Sequence, residues 1–172
     1  MNLKKLFLNH CEDEQFEINK NQLNIINYLN DFNKSNFNQT IIKKFFKKKD
    51  NKLGFYLVGD VGVGKTMILN FFYNFLKKKK LRLHFSEFMI NFHNSVFQNK
   101  DKENGINNFV KDLRKKVEIL YFDEFQVTNI VDAMILGRLF KKIFEEKITL
   151  IFFSNIILNN FPKIIASTIL VT

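Results

Sequence analysis

The fold of this 172-residue chain is decided by residues 54–66, which read GFYLVGDVGVGKT. The last eight match the pattern GxxxxGK[ST], a loop that joins a strand to a helix and holds phosphate groups. Before the loop, residues 55–58 form a short apolar run suited to a buried parallel strand, and residues 67–76 after it are apolar enough for a core helix. This context makes a chance glycine-rich turn the weaker interpretation, and the segment predicts a nucleoside triphosphate site.

The residue types in the loop suit the chemistry of a triphosphate. Glycine reaches backbone conformations closed to residues with a Cβ, so successive N–H groups of the loop can point at phosphate oxygens. Lys65 supplies a mobile positive charge, Thr66 offers a hydroxyl to Mg²⁺, and the helix that starts there presents its positive dipole end. The predicted nucleotide-binding residues are Gly59, Asp60, Val61, Gly62, Val63, Gly64, Lys65 and Thr66.

A second apolar run, residues 119–122, ends in two adjacent carboxylates, Asp123 and Glu124. An acidic side chain at the carboxyl end of a parallel strand beside a phosphate loop can hold Mg²⁺ through its water shell. Asp123 is therefore predicted to join Thr66 as a metal-binding residue, and Glu124 is predicted to polarise the attacking water. The alternative is that both carboxylates only mark where the strand leaves the core.

A third apolar run, residues 148–153, is followed by Ser154 and Asn155. In P-loop ATPases with an extra strand between the phosphate-loop strand and the acidic strand, this position faces the γ-phosphate and the lytic water. Asn155 is the candidate sensor of that phosphate and joins Lys65 and Glu124 as a predicted catalytic residue. The alternative is ordinary turn chemistry after a strand.

Strand-like and helix-like runs alternate along the chain, which predicts the α/β class with a doubly wound parallel sheet. Strands are predicted at 55–58, 81–85, 117–122 and 148–153, and helices at 65–79, between 86 and 115, and at 128–146. The helix from Thr128 carries an apolar stripe expected to lie in the core. Its members are Val131, Met134, Ile135, Leu139, Ile143 and Phe144.

Several strings in the chain are more specific than the phosphate loop, above all FDEFQVT and DAMIL. The relevant segments are YFDEFQVTNIVDAMILGRLF at 121–140, GFYLVGDVGVGKTMIL at 54–69, HFSEFM at 84–89 with His93 after it, and FFSN at 152–155. In this order they resemble the ZapE-like ATPases of bacterial cell division and their mitochondrial Afg-type relatives. A weaker echo is Gln22, within a helix-like stretch near the N-terminus.

The resemblance implies a P-loop NTPase fold of the AAA+ type, with ATP and Mg²⁺ as cofactors. It also implies action on protein partners, which belong to the division apparatus at the inner membrane in bacteria and to protein quality control in mitochondria. A cytoplasmic location, with peripheral association at the inner membrane as an option, and a homo-oligomer are compatible with it.

The chain departs from the family pattern in two places. Family members usually read HFHxFM, whereas Ser86 stands at the second histidine, so no role of that histidine is carried over. After its Ser-Asn the family continues with a Leu-Gln-Arg segment and a helical lid, which residues 156–172 do not show. We therefore expect a chain that is truncated before the lid, with a frameshift in the coding DNA as one explanation. Arg138, its last arginine, is interpreted as a solvated or locally paired side chain rather than one that reaches a neighbour's γ-phosphate.

Composition limits the function classes. The formal net charge is +10, but abundant Lys, Asn, Ile and Phe are what AT-rich codons produce, and lysines complement helix ends, so nucleic acid is not expected as a partner. The single cysteine, Cys11, excludes an internal disulfide and suits a reducing compartment. Residues 1–8 lack the long apolar region of a signal peptide, and no run approaches the ~20 apolar residues that span a bilayer.

The predicted organisation is an N-terminal helical extension at 1–51, an ATPase core at 52–155 and a divergent tail at 156–172. The predicted function is ATP binding and hydrolysis coupled to the remodelling of protein partners. Two alternatives stay open: a truncated ATP-binding module with little or no hydrolysis, and a DNA-linked ATPase that resembles a helicase loader. DNA-stimulated hydrolysis with a steep salt dependence would favour the second.

Overall fold

The computed structural model describes residues 2–37, 53–59, 62–98, 104–127, 130–154 and 168–171. They fall into two compact units. The first unit contains residues 2–37 and 62–77. The second unit contains residues 53–59 and the described residues between 78 and 170.

The described residues of the first unit form three helices: α1 (Leu3–Asp13), α2 (Lys20–Asn36) and α3 (Lys65–Phe75). Helix α2 begins with a capping box, in which the Asn19 side chain accepts from the Gln22 backbone and the Gln22 side chain accepts from the Asn19 backbone. Each helix buries one apolar stripe. The buried apolar residues are Leu3, Phe7 and Cys11 on α1, Ile26, Leu29 and Phe32 on α2, and Ile68, Leu69 and Phe72 on α3.

A five-stranded sheet dominates the second unit. Its strands are β1 (Gly54–Val58), β2 (Lys80–His84), β3 (Ile119–Asp123), β4 (Thr149–Ser154) and β5 (Thr168–Val171). Their order across the sheet is β2-β3-β4-β1-β5, and the pairs β2·β3, β3·β4 and β4·β1 are all parallel. The strands from β1 to β4 therefore end at the same edge of the sheet.

Among the described residues of this unit, three helices lie between successive strands: α4 (Phe85–Gln98), α5 (Gly105–Lys116) and α6 (Ile130–Glu145). Alternate residues of each strand point to one face, so one set of strand side chains packs with the helices in an aromatic-rich core. The fully buried rings of Phe122 and Phe152 stack at 5.4 Å between centroids, and Phe88 of α4 contacts Phe122 at 4.8 Å. None of the described helices is both long and apolar enough to cross a membrane.

The predicted alternation of strands and helices is confirmed, but several boundaries move. Helix α3 ends at Phe75 rather than at residue 79, because the lysines that follow bond to Glu118 instead. The Lys79 N–H donates to the Glu118 carboxylate at 3.3 Å, and the Glu118 N–H donates to the Lys79 carbonyl at 2.7 Å. Strand β2 spans Lys80–His84 and not 81–85, and β3 spans Ile119–Asp123 and not 117–122.

The apolar stripe predicted for α6 is partly wrong. Val131 and Met134 are exposed, with Met134 at 78 % of its full accessibility, whereas Leu139 and Ile143 are fully buried. Ile135 and Phe144 pack against the core while partly exposed. The stripe that lies in the core starts one turn later and has the helical spacing i, i+3, i+4, i+7. Its members are Leu136, Leu139, Phe140 and Ile143. Thr128, where the sequence placed the start of the helix, lies outside the described residues.

Candidate functional site

The predicted phosphate loop leaves β1 at Gly59 and enters α3 at Lys65. Gly62 and Gly64 both adopt positive φ, at 88° and 85°, which a residue with a Cβ adopts only with strain. Among the described residues, a Cβ on Gly62 would meet no atom within 4 Å, whereas a Cβ on Gly64 would lie 2.6 Å from Nε2 of Gln22. Gly64 thus packs closely against α2. Asp60 and Val61 lie outside the described residues.

The N-terminus of α3 suits an anion. Its N-cap is Gly64, so no side chain caps this helix within the described part of the chain. The first backbone N–H groups of a helix have no partner within the helix, and its dipole adds a partial positive charge there. Lys65 is only 6 % exposed, while Thr66 is exposed. The first turn of α3 therefore combines backbone donors, one lysine and one hydroxyl, which is the donor set a phosphate chain with its metal ion requires.

Gln22 ties this loop to α2. Gln22 is only 6 % exposed, and its Nε2 donates to the Val63 carbonyl at 3.4 Å. Its Oε1 accepts from the Asn19 N–H at 3.1 Å, within the capping box. One amide group therefore links the cap of α2 to the loop. The sequence indicated Gln22 only as a weak family echo, because a contact across 41 positions in the chain has no local signature.

Asp123, the last residue of β3, is held by an arginine on the neighbouring strand. Arg82 donates from Nε to both carboxylate oxygens of Asp123, at 2.9 and 2.7 Å. Arg82 pairs in register with Tyr121, and side chains two residues apart on a strand share a face, so the contact is a diagonal one. The guanidinium carbon of Arg82 also lies 5.7 Å from the ring centroid of Phe153 on β4.

Sequence reasoning missed Arg82. The available signal was an arginine between two leucines of a strand, two positions before the strand end, in a chain that has only three arginines. Reading that signal requires the register between β2 and β3, which no local pattern supplies.

Glu124 follows Asp123 in a backbone conformation that non-glycine residues rarely adopt. Its φ is 51°, in the left-handed region. Its side chain is exposed, and Oε2 lies 3.8 Å from Nδ1 of His84. The next residue fixes this turn, since Phe125 is fully buried and its N–H donates to the Phe153 carbonyl at 3.2 Å. The Phe125 ring packs on Phe85 at 4.5 Å. A residue anchored in the core thus holds Glu124 turned out to solvent, and strain of this kind is concentrated at functional positions.

Within the second unit, the carboxyl edge of the sheet collects the acidic pair and its neighbours. Strand β4 lies between β3 and β1, and Ser154 at its end pairs with Val58, the residue before the loop begins. Asp123 and the start of the loop are therefore on strands separated by one strand, at the same edge. Asn155, the predicted γ-phosphate sensor, lies outside the described residues.

The sequence matches the model of a protein family over most of the chain. Residues 5–163 fit the model of the AFG1-like ATPase family. The chain belongs to the AFG1-like ATPase family. The resemblance expected from FDEFQVT and DAMIL is thereby confirmed, and the family is one of nucleotide-binding ATPases.

This AFG1-like chain is similar to two curated proteins from different organisms. It is 37 % identical over 119 residues to the cell division protein ZapE of Escherichia coli (strain K12), a match that covers 66 % of this chain and 32 % of that protein. It is 33 % identical over 114 residues to lactation elevated protein 1 homolog B of Danio rerio, covering 59 % of this chain and 23 % of that protein. The chain spans about a third or less of the length of these relatives.

Solved structures share the fold at low sequence identity. The match to DnaI has a TM-score of 0.57 and 19 % identity, and covers 92 % of this chain and 89 % of that one. The match to AMPPCP-bound DnaA of Aquifex aeolicus has a TM-score of 0.58 and 16 % identity, and covers 92 % of this chain and 48 % of that one. The predicted P-loop NTPase fold of the AAA+ type, with a parallel sheet flanked by helices, is confirmed.

Proposed function

We propose that this AFG1-like chain binds ATP with Mg²⁺ and hydrolyses the γ-phosphate bond. The observation that carries the proposal is the phosphate loop itself: two glycines at positive φ lead into a helix whose first turn no described side chain caps. An anion placed there would receive backbone N–H donors and the helix dipole together. Family membership supports the same activity.

Each predicted site residue has a defined part in this proposal. The loop from Gly59 to Gly64 binds the phosphates through its backbone N–H groups, and the positively charged side chain of Lys65 contacts the γ-phosphate. Thr66 and Asp123 would hold Mg²⁺, which when bound neutralises phosphate charge during transfer. Oxygen donors of these two kinds are what Mg²⁺ prefers.

Glu124 is proposed to orient and polarise the attacking water. Its carboxylate is exposed, and the buried Phe125 holds its strained backbone in place, so little reorganisation is needed on substrate binding. Asn155 is proposed to contact the γ-phosphate and report its presence. Both proposals follow from the positions of these residues after β3 and β4.

For the longer protein, we propose that ATP turnover is coupled to the remodelling of protein partners. The likeness to a cell division protein supports a division role, and quality control is the second possibility within the family. A homo-oligomer in the cytoplasm, with peripheral contact to the inner membrane, is part of this proposal. A likeness to the DnaC helicase loader at 13 % identity concerns the fold alone and adds no argument for DNA.

Two substitutions test the assigned roles. Lys65→Ala removes a charge-assisted contact to the phosphates, so we expect ATP affinity to fall by at least about tenfold. Glu124→Gln keeps the phosphate and metal ligands and removes the base, so ATP should still bind while hydrolysis falls by about 10²- to 10⁴-fold. Lys111→Ala and Glu87→Gln, both at exposed helix positions, are the matched controls.

The measurements are ATP affinity by isothermal calorimetry and phosphate release in single turnover. Equal loss of ATP binding in Lys65→Ala and Glu124→Gln would contradict the separate roles. ATP binding by the unmodified chain without any phosphate release would favour the alternative of a binding module with little hydrolysis.

A further inference from the structure

Asp123 already has a cationic partner within its own protein. Arg82 donates from Nε to both of its carboxylate oxygens, and this contact joins two adjacent strands of one sheet. We propose that Arg82 is a positioning residue: it binds the Asp123 carboxylate at the same time as Mg²⁺ does, and its positive charge lowers the affinity of the site for Mg²⁺. This inference rests on the proposed function, in which Asp123 belongs to the magnesium site.

The position of Arg82 is fixed by more than the ion pair. The paired strands set its Cα opposite Tyr121, and its guanidinium group lies over the ring of Phe153. The side chains of Arg82 and Asp123 are only 25 % and 18 % exposed. Solvent therefore screens this charge pair less than it would a pair on the open surface.

The geometry of the contact lets Arg82 and a hydrated cation use Asp123 at the same time. A carboxylate has about four lone-pair positions, and an N–H shared between both oxygens takes the inner two. The outer positions stay available to water molecules that surround a metal ion. Arg82 thus fixes the direction of the carboxylate without blocking it, while its positive charge opposes the approach of a second cation.

Removing the charge should therefore strengthen magnesium binding. A full positive charge about 8 Å from a divalent ion, with a carboxylate and a water molecule between them, is repulsive by an amount that corresponds to about a fivefold change in affinity at the dielectric constant of water. Arg82→Met should lower the half-saturating Mg²⁺ concentration by about fivefold. Arg82→Lys keeps the charge and should stay within about twofold of the unmodified chain.

The experiment measures binding of a non-hydrolysable, fluorescent ATP analogue by the full 172-residue chain as MgCl₂ is raised from zero in the presence of EDTA. Asp123→Asn and the double variant with Arg82→Met complete a cycle, and Arg114→Met is the control for loss of an arginine. If Arg82 acts through Asp123, its effect on the half-saturating Mg²⁺ concentration should disappear in the Asp123→Asn background.

The outcomes separate the two proposals. An Arg82→Met variant whose half-saturating Mg²⁺ concentration is unchanged or higher, with normal magnesium-dependent binding by the unmodified chain, overturns the inference alone. Failure of the unmodified chain to bind the analogue overturns the proposed function and this inference with it. Urea unfolding of the unmodified chain, Arg82→Met, Asp123→Asn and the double variant is an independent readout. Additive effects of the two substitutions on the free energy of unfolding would show that the two side chains do not interact, and would overturn the inference.

Discussion

Gly64→Ala should lower the stability of the folded chain more than Gly62→Ala does, because only at Gly64 would the added methyl group meet the Gln22 side chain. Both glycines have positive φ, so alanine at either position carries the strain of the left-handed region, about 1–2 kcal/mol. Part of that strain is offset by about 0.4–1 kcal/mol, because alanine restricts the unfolded chain more than glycine does. Gly62→Ala should therefore destabilise the chain by about 1 kcal/mol.

At Gly64 the new Cβ meets Gln22 as well. The distance of 2.6 Å to Nε2 is too short for contact, so the Gln22 amide must move. That movement gives up the hydrogen bonds of Gln22 to Val63 and to Asn19, each contributing about 0.5–1.5 kcal/mol. Gly64→Ala should cost about 1–2 kcal/mol more than Gly62→Ala, and a chain of this size loses about 2–4 °C in Tm per kcal/mol.

The assay is urea unfolding of both variants, with Gly64→Ala also made in a Gln22→Ala background. Shortening Gln22 removes the atom that the new methyl group would meet, so Gly64→Ala should cost no more than Gly62→Ala in that background. Equal destabilisation by the two single substitutions, or an unchanged penalty after Gln22→Ala, would refute the packing described for this loop.

Three further outcomes follow from burial and charge. Leu139→Ala should destabilise the chain by about 2–5 kcal/mol and Met134→Ala by less than about 0.5 kcal/mol in urea unfolding, because only Leu139 is buried; similar losses would contradict the corrected core face of α6. Burial raises the pKa of the Cys11 thiol, so its reaction with a disulfide reagent at pH 8 should be much slower in the folded chain than in urea, and equal rates would exclude that burial. A hydrogen bond and the charge of Lys115 lower the pKa of Asp112, so Lys115→Ala should move the Asp112 midpoint to higher pH in an NMR titration, and an unmoved midpoint would exclude the pair.

The elements could be predicted because their signals are local. Apolar runs of strand length, glycines at fixed positions and an acidic pair after a strand are all readable without knowing what lies nearby. The structure places Asp123 at the end of β3 and starts α3 at Lys65, as those signals indicate. The domain boundaries at residues 51 and 155 and the roles of the site residues stay predictions.

The failures have a different origin, since each depends on which elements become neighbours. Periodicity identified a stripe on α6 but not which of its turns lies over the sheet, so Val131 and Met134 were assigned to a core that they do not reach. The end of α3 moved because Glu118, distant in sequence, binds the backbone of Lys79. Arg82 escaped notice for the same reason, because its partner is defined by strand register.

The place of β4 between β3 and β1 has a consequence for the order of events during synthesis. Gly54 at the start of β1 pairs with Leu150, and the Leu150 N–H also bonds to the Leu53 carbonyl at 2.8 Å. Strand β1, which leads into the phosphate loop, can therefore pair with β4 only after the ribosome has made the residues up to β4. Bringing together two strands that are so far apart in the sequence is slow. A nascent chain that ends before β4 would carry the whole loop sequence and still lack the strand that anchors it, so ATP could rescue folding only after that strand has emerged.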